Sequence, residues 1–86
     1  MGSRREVLSV KAFVLIKVEP GQLKNVLDKL KGMRAVAEVY CITGPDDIIA
    51  VLESADAKGI SEVVIGGLHD VEGIRATDTR LVVDIP

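Results

Sequence analysis

The sequence contains no tryptophan, one phenylalanine and one tyrosine, so no aromatic stack can organise its core. A single cysteine excludes an internal disulfide and a cysteine-based metal cluster. Charge of neither sign dominates. Eleven basic and 13 acidic residues leave a formal net charge of −2, which is no electrostatic footprint for nucleic acid. No apolar run approaches the roughly 20 residues of a membrane span, and the first six residues lack the apolar core of a signal peptide. Direct DNA binding and membrane insertion are therefore not expected, and a cytoplasmic protein is the default reading.

What the sequence does hold is aliphatic. Hydrophobic residues make up 48% of the chain, so its core must be built from Val, Ile, Leu and Ala. At 86 residues the chain is one small domain. A domain of that size buries only about 60–65% of the surface its unfolded form exposes. More apolar surface is present than one small core uses, and part of it is expected to be buried against a second copy.

The chain centres on residues 39–53, where two apolar runs flank the cluster Thr43-Gly44-Pro45-Asp46-Asp47. That is a β-hairpin signal, with Pro45 presetting φ and Gly44 permitting φ > 0. Ahead of it, residues 1–9, with Arg4 and Arg5, read as a flexible solvated tail, and 10–86 as the domain proper. Val10 to Val18 forms the first strand, apolar on both faces in its middle. Leu23, Val26, Leu27 and Leu30 recur at helical spacing over about 22–31, and Gly32 is placed as the C-terminal cap. Strands follow over 36–43 and 47–53. Ser54, Ala55 and Asp56 offer a cap to a second helix carrying Ile60, Val63, Val64 and Leu68. Gly59, Gly66 and Gly67 weaken that helix by about 1 kcal/mol each, and close packing of Gly66 and Gly67 on the sheet is one reason for their presence. A last strand is expected over 74–85.

The element order is βαββαβ, which predicts an α+β, ferredoxin-like fold: one antiparallel four-stranded sheet with both helices on a single face. The other face stays bare and would carry Phe13, Leu15, Ile49 and Val51. Two such sheets packed face to face about a two-fold axis, a dimeric α/β-barrel, would bury them.

No catalytic constellation is present. His69, the only histidine, reads as an exposed residue near a helix C-terminus. Cys41 reads as a small hydrophobe in a strand and Tyr40 as strand packing. No phosphate loop and no metal-ligand spacing occurs, and nothing calls for a cofactor. Asp46 and Asp47 are first of all turn formers, since Asp side chains accept nearby backbone N–H groups. Thr77 and Thr79 share a strand face and can turn two hydroxyls to a common side.

Three motifs in order resemble the effector-binding domain of the Lrp/AsnC family of feast/famine transcriptional regulators. They are Ala12-Phe13-Val14-Leu15-Ile16 running into Val18-Glu19-Pro20-Gly21, the hairpin Thr43 to Ala50, and Gly73-Ile74-Arg75-Ala76-Thr77-Asp78-Thr79. The resemblance covers about 10–85. It implies a ligand-sensing module rather than an enzyme, dimerising through its sheets, with dimers assembling into rings, octamers among them. It implies small effectors, chiefly amino acids, in clefts between neighbouring dimers. By motif position Gly44 and Asp47 line that cleft, with Asp46 beside them and Thr77 and Thr79 facing it. Asp47 would pair with an ammonium group, while hydroxyls and backbone N–H groups hold a carboxylate.

Two features depart from the family pattern. Only about nine residues precede the first strand, so the reading is of a stand-alone form that acts by co-assembly with full-length, DNA-binding relatives. Asp46 stands where the family usually has an apolar or aromatic residue, and this second carboxylate disfavours an acidic effector. An ACT-like regulatory domain, with its ligand at Glu19-Pro20-Gly21, is the second reading. A dimeric barrel enzyme ranks lower, because Tyr40 and His69 are its only candidate acid–base groups besides scattered carboxylates.

Overall fold

A computed structural model describes residues 10–85; the tail expected over 1–9 lies outside the described residues. The elements are β1 (Val10–Val18), α1 (Leu23–Lys31), β2 (Val36–Cys41), β3 (Ile48–Ser54), α2 (Ala57–Gly66), a 3-10 turn (Leu68–Asp70) and β4 (Ile74–Leu81). The four strands make one sheet in the order β2-β3-β1-β4, with every pair antiparallel. This is the ferredoxin-like arrangement expected from the order of elements.

Alternation along β1 sorts the two faces. Ala12, Val14 and Ile16 are fully buried beneath the helices, where they meet Val26, Leu30, Ile60 and Leu68. Ile48, Ala50 and Leu52 of β3 fill the same layer. Each of the larger side chains contributes about 1.5–3 kcal/mol by leaving water. No polar side chain is buried among the described residues, so this core is wholly aliphatic.

The helices start and stop for local reasons. Asp56 caps α2, its Oδ1 accepting the Gly59 N–H at 2.8 Å. Helical spacing runs on through Leu68, yet α2 ends at Gly66 and Leu68 belongs to the 3-10 turn. Gly67 is the closely packed glycine. A Cβ there would lie 2.6 Å from the Val63 carbonyl oxygen and 2.8 Å from Met33 Cε, whereas one on Gly66 would meet nothing within 4 Å. The contact expected against the sheet is therefore made by one glycine, with the loop after α1. Gly32 caps α1 in the right-handed region, with φ −88°, so no left-handed cap is formed.

β4 stops at Leu81 rather than running to residue 85. Leu81 pairs with Ala12, and the Val82 N–H still reaches the Lys11 carbonyl at 2.9 Å. Among the described residues the strand is not continued beyond Leu81. β2 is likewise shorter than expected, ending at Cys41, where the turn begins.

Candidate functional site

The loop between β2 and β3 is fastened to the end of β1. The Ile42 N–H donates to the Asp47 carbonyl (2.9 Å), and the Asp47 N–H donates to the Ile16 carbonyl (2.9 Å). Asp47 Oδ2 accepts the Val18 N–H at 2.9 Å. From the sheet side, Lys17 Nζ donates to the Pro45 carbonyl at 2.7 Å and stands 3.2 Å from Asp46 Oδ1. Gly44 takes φ +111°, a region that side chains avoid. The space beside it is open, so the demand for glycine there is conformational rather than steric.

The two carboxylates therefore differ. Asp46 is matched by the Lys17 ammonium, which offsets the second negative charge noted in the sequence. Asp47 spends one oxygen on the fold, and its Oδ1 makes no hydrogen bond to any described residue. Asp47→Ala is accordingly expected to cost stability as well as any ligand contact. Leaving the part-buried Val18 N–H unpaired should lower the unfolding free energy by about 1–3 kcal/mol, read as a fall in the urea midpoint.

The threonines lie on the helix side of β4. Thr77 sits opposite Ile16 and Thr79 opposite Val14. They line separate clefts: Thr79 one of about 270 Å³ with Ile60, Val64 and Leu81, Thr77 one of about 340 Å³ with His69 and Arg75. Gly44, Asp46 and Asp47 line neither cleft. Asp47 and Thr77 flank Ile16 from opposite sides, one strand apart. Within one protomer Gly44, Asp46, Asp47 and Thr77 thus lie toward one end of the sheet, Thr79 lies opposite the middle of β1, and the five share no cavity. The cleft holding His69 and Arg75 was not singled out from sequence, and neither was one of about 620 Å³ near Arg34, Ser54 and Glu62. The larger cleft draws on three separate stretches of the chain, so no local motif announces it, whereas the smaller is lined from within residues 69–77.

The bare face of the sheet is apolar at its centre. Phe13 pairs with Val51 and Leu15 with Ile49, so the four residues expected at an interface form one contiguous block. Phe13 is 39% exposed, Leu15 and Ile49 are half-buried, and Val51 is buried at 6%. Val51 thus has little left for an apposed sheet to cover. Around the block run Lys11–Glu53 (3.9 Å), Lys17–Asp46 (3.2 Å) and Arg80–Asp78 (2.9 Å). The hydrogen bond from Arg80 holds the Asp78 carboxyl below its ordinary range. That pair stabilises above the unfolded carboxyl pKa and is lost as pH falls through the folded one. Both partners are largely exposed, so the contribution is small. At the edge of this face, the Tyr40 hydroxyl donates to Glu38, which pushes the Tyr40 pKa up.

No described group of three or more His, Cys, Asp or Glu side chains is placed to hold a metal ion. No described helix is long and apolar enough to cross a membrane. Sheet, helices and fastened loop together define a ferredoxin-like α+β domain. The model of the Lrp/AsnC ligand binding domain matches residues 11–86, and the chain belongs to that family. Among curated relatives, an uncharacterised HTH-type transcriptional regulator of Pyrococcus furiosus is 31% identical over 77 residues, covering 86% of this chain and 51% of that protein. The chain spans about half the length of the curated relatives it matches. The crystal structure of TTHA0845 from Thermus thermophilus is 31% identical, with a TM-score of 0.84 over 90% of this chain and 96% of that one. A transcriptional regulator of Neisseria meningitidis, solved as a complex with L-Met, shares the fold at 15% identity and a TM-score of 0.85. That match covers 98% of this chain and 56% of the Neisseria chain.

Proposed function

We propose that this chain is an amino-acid-sensing and oligomerisation module of transcription regulation, acting in the cytoplasm by co-assembly with DNA-binding relatives. The observation that carries the reading is the match to a ligand-binding family over 11–86, on a sheet whose bare face keeps an apolar centre. Phe13, Leu15 and Ile49, with a smaller share from Val51, form the dimer interface. Gly44, Asp46, Asp47, Thr77 and Thr79 form the effector site, completed between neighbouring dimers, which fits their division among separate clefts in one protomer. Asp47 Oδ1 takes the ammonium of the effector. Support for the ligand class comes from the shared fold of the Neisseria regulator captured with L-Met.

A thermal-shift screen of the twenty amino acids, run beside size-exclusion light scattering, tests the reading. At a ligand concentration 100 times the dissociation constant, binding to the folded state should add about 2.7 kcal/mol of stability, a rise of several degrees for a domain this small. Asp47→Ala should flatten that response for the best ligand. A flat screen with the unmodified protein, or a monomer at micromolar concentration, would sink the sensing or the assembly half of the reading respectively.

A further inference from the structure

The cleft between the 3-10 turn and the start of β4 has the chemistry of an anion site. Its volume is about 340 Å³, and His69, Arg75 and Thr77 line it together with Ile74 and Ala76. Its geometry depends on a β-bulge. Lys17 pairs with Ala76 and Val18 with Ile74, so Arg75 has no partner across β1. A flat strand would turn neighbouring side chains to opposite faces, and the extra residue relaxes that alternation. Four successive residues of β4 thereby border one cavity.

The donors in this cleft make no hydrogen bond to a described residue within the protomer. Arg75 forms an exposed ion pair with Glu19, Nε to Oε2 4.0 Å, too long for a hydrogen bond, so its guanidinium N–H groups stay available to a ligand that competes with Glu19. Neither Arg75 nor His69 makes a side-chain hydrogen bond to a described residue. A guanidinium offers five N–H donors in a planar fork that matches a carboxylate in bidentate fashion. Thr77 adds a hydroxyl and His69 an imidazole N–H. Ile74 and Ala76 give the cleft an apolar lining suited to the carbon next to a carboxylate. Glu19, close by on the loop after β1, repels a second negative charge and selects against dianions.

We infer that this cleft binds the carboxylate of a small monocarboxylic ligand, with Arg75 as the principal donor and His69 and Thr77 completing the cradle. That the ligand is an amino acid, with this cleft receiving its carboxylate end, rests on the sensing function proposed above; the carboxylate site itself does not.

The test is backbone-amide NMR on the full chain, titrated with sodium acetate against sodium chloride at matched ionic strength. Saturable shifts are expected at His69 and at Ile74 to Thr77. Arg75→Gln should weaken acetate binding about tenfold or more, as loss of a charge-assisted bidentate contact does, while Arg34→Gln in the larger cleft should leave it unchanged. A flat acetate titration, or equal affinity in Arg75→Gln, overturns the site. Tighter binding of inorganic phosphate than of acetate overturns the carboxylate assignment. A second titration uses L-amino acids and their amides. An amino acid that moves Asp47 and Thr79 but leaves His69 and residues 74–77 still removes this cleft from the effector site, with sensing intact. Acetate bound here while no amino acid binds anywhere leaves the carboxylate site standing and removes the sensing function.

Discussion

Leu15→Lys is expected to convert the proposed dimer to a monomer at micromolar concentration. Leu15 sits beside Ile49 and Phe13 at the centre of the bare face, and the two-fold axis of the proposed dimer would place the substitution at the interface twice. Burying one side chain of this size is worth about 1.5–3 kcal/mol. Two copies give about 3–6 kcal/mol, or roughly 10²–10⁴ in dissociation constant. Two new ammonium groups facing each other across an apolar centre add to the loss. Light scattering on the purified variant reads the mass directly, and circular dichroism separates dissociation from unfolding. Lys11→Gln, at the charged rim 3.9 Å from Glu53, should leave the mass unchanged, because exposed ion pairs contribute little. A folded Leu15→Lys variant that keeps its dimer mass would move the interface off this face.

Much of the fold could be read directly from residue order. β1 was legible because residues 10–18 are a short apolar run rich in β-branched residues and Glu19-Pro20-Gly21 ends it. α1 was legible because its apolar positions keep helical spacing and Lys24, Asp28 and Lys29 stay outside. The end of α2 was not. Val64 and Leu68 keep the helical period across Gly66 and Gly67, so periodicity favours continuation where a close contact with Met33 favours a stop. The end of β4 was missed for a related reason. Val82, Val83 and Ile85 are as strand-like as Leu81, so composition alone does not mark where the strand stops. In the candidate site the turn chemistry of Gly44 to Asp47 was visible. What Asp46 and Asp47 do with their charges was not, since Lys17 and Val18 lie almost 30 positions away. Arg75 was hidden more deeply, because a bulge is a property of two paired strands rather than of either one.

Leu52→Ala carries the largest expected effect on the protomer. Leu52 is fully buried on the helix side of β3, beside Ala12 across the β1 pairing. Removing three carbons there should cost about 2–5 kcal/mol from lost transfer and the cavity left behind. A chain of 86 residues has about 4–13 kcal/mol to lose, at the usual stability per residue. Urea unfolding should show a midpoint reduced by about 40% at the middle of these ranges, and by at least about 15%, with an unchanged slope. Glu53→Ala, one position along and exposed, should stay within about 0.5 kcal/mol of the parent. If the two variants unfolded alike, the assignment of faces on β3 would be wrong.

The strand order 2-3-1-4 also bears on how the protein is made. Of the four strands β1 leaves the ribosome first, yet it is a central strand, and its two neighbours are encoded far downstream. Val14 pairs with Ala50 on one side and with Thr79 on the other. During synthesis the most apolar strand of the sheet therefore waits with one edge open until β3 (Ile48–Ser54) is made and with the other open until β4 (Ile74–Leu81) follows. Non-local pairings of this kind make folding slow and leave strand edges available to other nascent chains. Lys11 and Lys17, set at the two ends of β1, place charge on either side of its apolar run during that interval. The strand synthesised first is thus the one whose pairing is completed last.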